Sequence, residues 1–255
     1  MLKIRPEQLE AFRQQALSQF EENMIKHLQE YAPKHCAVLE EDNLHHVIRF
    51  GIQQAEKYGL TYQGPVRFYL ELIFMLGHHF DTDPQLGWAT EILTDTAITD
   101  QMEKADRLYD KVADYVKAVA GPKHTYAWRS LHNFSMAGSQ SVPLYGPNFE
   151  EEVISRLKQI YPEKCTYVGE SALHMVVKQA TVQAETYSLN TEEGIYLFVV
   201  LMFALGHGFA TDPLFPWIST TLNNPALSDS SKRIERLRSK SLTYLEQVLA
   251  HLVKE

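Results

Sequence analysis

The 255-residue chain carries 24 Lys and Arg against 32 Asp and Glu, a net charge of −8 with histidine neutral. Phosphate binding draws on clustered cations, so this balance argues against a nucleic-acid surface. At 45 % hydrophobic and 22 % charged, the composition is also unlike disordered, collagenous or disulfide-knot chains.

The elements read as helices almost throughout. Pro6 stands at a helix start, and Leu9, Phe12, Ala16, Phe20, Met24, Leu28 and Tyr31 follow at steps of three and four until Pro33. A second helix is marked by Leu44, Val47, Ile48, Gly51, Ile52, Ala55 and Tyr58. The stretch 66–76 is apolar on nearly every side and predicts a central buried helix ended by Gly77. Asp83-Pro84 reads as an N-cap and N1 proline opening a short helix through Leu93, and Met102, Leu108, Val112, Tyr115 and Val119 mark a fifth. No period-two strand is found.

The chain then repeats this plan. Residues 20–120 align without a gap on 149–249 at an offset of 129, with 34 identities in 101 positions. The expected fold is therefore all-α: two tandem homologous modules of about five helices, 1–120 and 149–255, related by a pseudo-two-fold axis. Between them, 121–148 has a different composition, rich in Gly, Ser and Pro, with no sustained period, and reads as a connector. Its aromatic content places it against a module surface. Tyr126, Trp128, Arg129, His132 and Phe134 are of types enriched at interface hot spots and make the connector a candidate protein-binding segment.

The most specific motif is Gly77-His78-His79-Phe80-Asp81-Thr82-Asp83-Pro84 with Trp88, repeated as Gly206-His207-Gly208-Phe209-Ala210-Thr211-Asp212-Pro213 with Trp217. His78, His79, Asp81 and Asp83 supply imidazole and carboxylate ligands within six residues, the basis of a metal-site reading. Only His207 and Asp212 survive in the copy, which favours a structural motif: glycine for a left-handed C-cap, Phe and Trp for core, Asp for the N-cap. A second shared set is Cys36, Glu41, Leu44 and His45 with Cys165, Glu170, Leu173 and His174, which raises a thiol–imidazole pair. Dinucleotide, phosphate-loop, nucleophile-elbow and His-Glu-x-x-His signatures are absent from the sequence, so no cofactor is expected.

Phe20-Glu21, Leu44-His45, Gly51-Ile52, Tyr58-Gly59-Leu60 and the Gly77–Trp88 motif together resemble bacterial helical proteins found at type VI secretion and polymorphic-toxin loci. The resemblance implies an accessory role: an adaptor or chaperone for a secreted toxin, or an immunity protein against one. It carries over no catalytic residue. The leading expectation is a non-enzymatic binding protein whose partner is another bacterial protein, a toxin, effector or secretion component, with neither nucleic acid nor membrane involved. The net charge favours a basic partner. A metal-dependent hydrolase or metal-binding sensor, built on His78, His79, Asp81 and Asp83 with His45, is the alternative, and a homo-oligomer using the exposed face of the first helix is a third reading.

Location follows from three further features. The longest apolar run, 195–205, has 11 residues, about half of what a bilayer crossing needs. The opening Met-Leu-Lys-Ile-Arg-Pro-Glu lacks the apolar core of a signal peptide, and Cys36 and Cys165 suit a reducing compartment. A cytoplasmic location is expected.

Overall fold

The computed structural model describes residues 5–39, 41–138, 148–227 and 229–252, and among these every regular element is helical. The first half contains α1 (Pro6–Tyr31), α2 (Pro33–Val38), α3 (Glu41–Lys57), α4 (Gln63–Leu76), α5 (Gly87–Thr94) and α6 (Gln101–Val119). The second contains α7 (Thr125–Gly138), α8 (Phe149–Ile160), α9 (Pro162–Thr186), α10 (Glu192–Leu205), α11 (Pro216–Leu222) and α12 (Ser230–Leu252). Adding 129 to the bounds of α4 gives those of α10, and the starts of α5 and α6 map onto those of α11 and α12.

Each half is organised around its apolar fourth-position helix. Leu70, Leu72 and Ile73 of α4 are fully buried, as are Phe198, Val199, Met202 and Phe203 of α10. A helix apolar on all sides must sit inside, and α4 is accordingly flanked by α3 and α6, and α10 by α9 and α12. Gly51 of α3 permits one close crossing: a Cβ there would stand 2.3 Å from Leu70 Cδ2. The halves meet through α6 and α9, and through a 3-10 turn at Pro84–Leu86 that packs on α9. No helix among the described residues is long and apolar enough to cross a membrane.

Four expectations are corrected. Pro33 does not simply stop the first helix; it occupies N1 of the short α2. In the second half the corresponding residues run into α9, broken only by Gly169 at φ 79°. Asp83-Pro84 opens a 3-10 turn, not an α-helix, and α5 starts at Gly87. The connector is helical over Thr125–Gly138, which packs on α8 and α12. Its Ser, Asn and His content has low helix propensity, but Ser130, Leu131 and Phe134 fall at helical spacing toward the second half, and tertiary burial overrides local preference. The connector residues 139–147 lie outside the described residues.

Candidate functional site

The repeated motif lies where the two halves meet. Gly77 ends α4 at φ 102°, ψ 159°, and Gly206 ends α10 at φ 96°, ψ 158°. This is an extended conformation at positive φ that is essentially confined to glycine, not the left-handed helical cap read from the sequence. A second reason for glycine is proximity: a Cβ on Gly77 would lie 2.8 Å from the carbonyl oxygen of Leu205, and one on Gly206 would lie 3.2 Å from that of Leu76. The ends of the two central helices therefore touch backbone to backbone.

Two carboxylates close this contact reciprocally. The His207 N–H donates to Asp83 Oδ2 at 2.8 Å, and the His78 N–H donates to Asp212 Oδ2 at 2.9 Å. The other oxygen of each serves its own loop, Asp83 Oδ1 accepting from Gln85 N at 2.8 Å and Asp212 Oδ1 from Leu214 N at 2.9 Å. Both carboxylates are almost wholly buried. Gln85 adds a further link, its Nε2 reaching Asp83 Oδ2 at 3.2 Å and the Met202 carbonyl at 3.3 Å. Each aspartate thus satisfies main-chain donors on both sides of the junction, and a buried N–H requires such a partner.

The electrostatics of the two aspartates differ. Burial raises the Asp83 carboxyl, but the His207 ring and the Gln85 and His207 N–H groups outweigh it and hold the group below the usual carboxylate range. His207 Nδ1 lies 3.6 Å from Asp83 Oδ2, an ion-pair separation rather than a hydrogen bond. Asp212 has no facing imidazole, and burial pushes it up to about 6 against the pull of the His78 and Leu214 N–H groups. The difference arises because His78 turns away and stacks on Phe50, ring centroids 3.8 Å apart. Burial drives His78 down to about 3, with His79 and His46 adding to the effect, and neither of its ring nitrogens has a hydrogen-bond partner. His79 bridges toward the other half, 5.9 Å from the His207 ring, and burial lowers it as well.

The four ligands proposed for a metal are not assembled. Asp81 turns into the first half, where its Oδ2 accepts from Tyr58 Oη at 2.8 Å and Tyr69 Oη at 2.9 Å. Asp83 is occupied by the junction, and His78 faces Phe50. Among the described residues no group of three or more His, Cys, Asp or Glu side chains is placed to hold a metal ion.

The shared Cys and His set is likewise divided. His45 Nδ1 lies 3.6 Å from Glu21, which also holds Arg49 through contacts of 2.9–3.0 Å. In the second half His174 Nδ1 pairs with Glu150 at 2.6 Å, and Glu170 pairs with Lys158 at 2.5 Å. Leu44 and Leu173 are core. Burial pushes the Cys165 thiol up to about 12 and raises Cys36, so neither presents a thiolate near neutrality.

The connector candidates are divided by the helix that carries them. Phe134 is buried, while Tyr126 and Trp128 are half-buried. Arg129 lies over the Tyr126 ring and pairs with Glu163 of α9, leaving His132 exposed. Phe134 and Leu131 form one wall of a half-open cavity of roughly 120 Å³, completed by Tyr161, Leu201, Ala204, Leu205, Trp217, Tyr244 and Leu245, with Ser241 bonded to the Leu237 carbonyl. Trp217 of the repeated motif thus lines the cavity; its counterpart Trp88 packs on the core.

Tyr69, Phe50, His46 and Gln85 were not read as site residues from the sequence, and Tyr58 was read only as a position on a helix face. One signal, for Tyr69, is present in the repeat: Ala210 replaces Asp81, and Phe198 replaces Tyr69 at the same time, while Tyr58 keeps its counterpart Tyr187. The polar pair is lost together. No protein-family model, curated protein or solved structure matches the chain.

Proposed function

We propose that this chain is a non-catalytic binding protein that acts as an adaptor, chaperone or immunity protein for another bacterial protein, a secreted toxin or a component of its delivery. The observation that carries the reading is the use made of the polar residues of the motif. Asp83 and Asp212 join the halves, and Asp81 is bonded to two phenols, so the motif serves as a scaffold and not as a reaction centre.

The partner's point of entry in this proposal is the half-open cavity between α7, α10, α11 and α12. An apolar hollow of roughly 120 Å³ accommodates one hydrophobic side chain, since a cavity of about 150 Å³ takes a benzene ring. Its α7 wall belongs to the segment that the repeat does not duplicate. A net charge of −8 supports approach by a basic partner.

Ala204→Leu fills the cavity from a half-buried position, and because added methylenes cost about 1–3 kcal/mol where they fit poorly, its folding is checked by thermal denaturation. Tagged wild type and variant are compared by affinity capture from the native cells. A toxin or secretion component enriched with wild type and reduced about tenfold with Ala204→Leu supports the proposal. Equal recovery from both removes the cavity from it, and a lone protein with stoichiometric zinc, iron or manganese overturns it.

A further inference from the structure

From Pro6 to Gln19 every residue of α1 is exposed, and the helix first buries a side chain at Glu21. This segment of 14 residues is about 21 Å long at 1.5 Å per residue, and isolated helices of that length are marginal in water. It precedes the repeat, which begins at Phe20. Its composition is not that of a solvated arm. Leu9 is 46 % and Phe12 60 % exposed, and with Ala16 they fall in a stripe about 60° wide on the helix. That stripe is centred roughly a quarter-turn from the Met24 and Leu28 face by which α1 enters the core, with Phe20, half-buried against the core, standing between the two.

We propose that residues 6–19 form an antiparallel helix pair with the same segment of a second copy of this chain. The charges beside the stripe define the register. Arg13 and Glu10 lie on the same flank, and antiparallel packing brings like flanks together. With Arg13 of each copy opposite Glu10 of the other, position 9 falls opposite position 14. Leu9 of one copy then seats between Phe12 and Ala16 of the other, and the two Phe12 rings meet at the two-fold axis. The same register thus satisfies both the charges and the apolar positions. Gln14 donates to Glu10 Oε1 at 2.9 Å, and Oε2 retains its capacity to accept from the arriving guanidinium. The contact is isologous and closes at two copies.

The paired area is small beside a standard interface of about 800 Å² per partner, so the dissociation constant is expected to be micromolar or weaker. Sedimentation equilibrium of the full chain from micromolar to millimolar concentration tests it. A concentration-dependent dimer is expected, and Phe12→Ser, at an exposed position, weakens it at least about tenfold. Glu10→Arg and Arg13→Glu each weaken it about threefold or more, and the doubly swapped chain returns to within about twofold of wild type. A chain that stays monomeric at millimolar concentration overturns the proposal. So does a dimer indifferent to Phe12→Ser, or a double swap no better than the single changes. The dimer does not involve the cavity, so it stands or falls separately from the partner reading.

Discussion

Asp83→Ala is expected to be among the most destabilising single changes in the molecule. It removes the acceptors of two main-chain donors at once, Gln85 N–H in its own loop and His207 N–H across the junction, at a site only 2 % exposed. Each buried donor left without an acceptor costs about 1–3 kcal/mol, giving roughly 3–5 kcal/mol in all. For a domain of this size, that corresponds to a melting temperature lower by about 10 °C. Asp212→Ala strands the His78 and Leu214 N–H groups in the same way, but the wild-type carboxyl is strained by burial, so a smaller loss is expected. Because the two carboxylates join the same pair of helix ends, the double variant should cost less than the sum by about 1 kcal/mol or more. Thermal denaturation of the four proteins measures this, and additive losses below about 1 kcal/mol each would show the junction to be incidental.

That junction was half legible in the sequence. The identity of Gly77 with Gly206 and of Asp83 with Asp212 marked both pairs, and helix-end chemistry explained why glycine and aspartate belong there. What the sequence concealed was direction. An aspartate before proline has a local use in its own loop, which here is met by Oδ1, whereas Oδ2 serves a donor more than 120 residues away. Spacing along one chain cannot report a contact made between two helix ends. The same blindness produced the metal reading. Asp81 sits three residues from His78, yet the 3-10 turn at Phe80–Thr82 points it at Tyr58 and Tyr69. By contrast, the long helices were readable because burial enforces a 3.6-residue period. The connector helix escaped because its buried stripe is short and is interrupted by the weak helix formers Ser130, His132, Asn133 and Ser135.

The histidines at the junction give the molecule a pH dependence whose sign can be worked out group by group. His78 is held neutral by burial, down to about 3 in the folded chain against about 6.5 when unfolded. Below pH 6.5 the unfolded state takes up a proton that the folded state refuses, so stability falls as pH falls. Asp212 works the other way. Its folded carboxyl, up at about 6, binds a proton more readily than the unfolded one near 3.8, so stability rises as pH drops through that interval. The two contributions oppose each other, and the wild-type profile alone does not separate them. His78→Phe does, because phenylalanine keeps the stacking on Phe50 and the burial but has nothing to titrate. Between pH 6.5 and pH 4 the variant should gain on wild type by roughly 2–3 kcal/mol, read from denaturant midpoints at matched ionic strength. Asp212→Asn should move in the opposite sense over pH 6 to 4, losing the acid-side gain that wild type retains. Parallel profiles for His78→Phe and wild type would mean that acid charges the imidazole without opening the junction, and that the ring is less enclosed than its 7 % exposure implies.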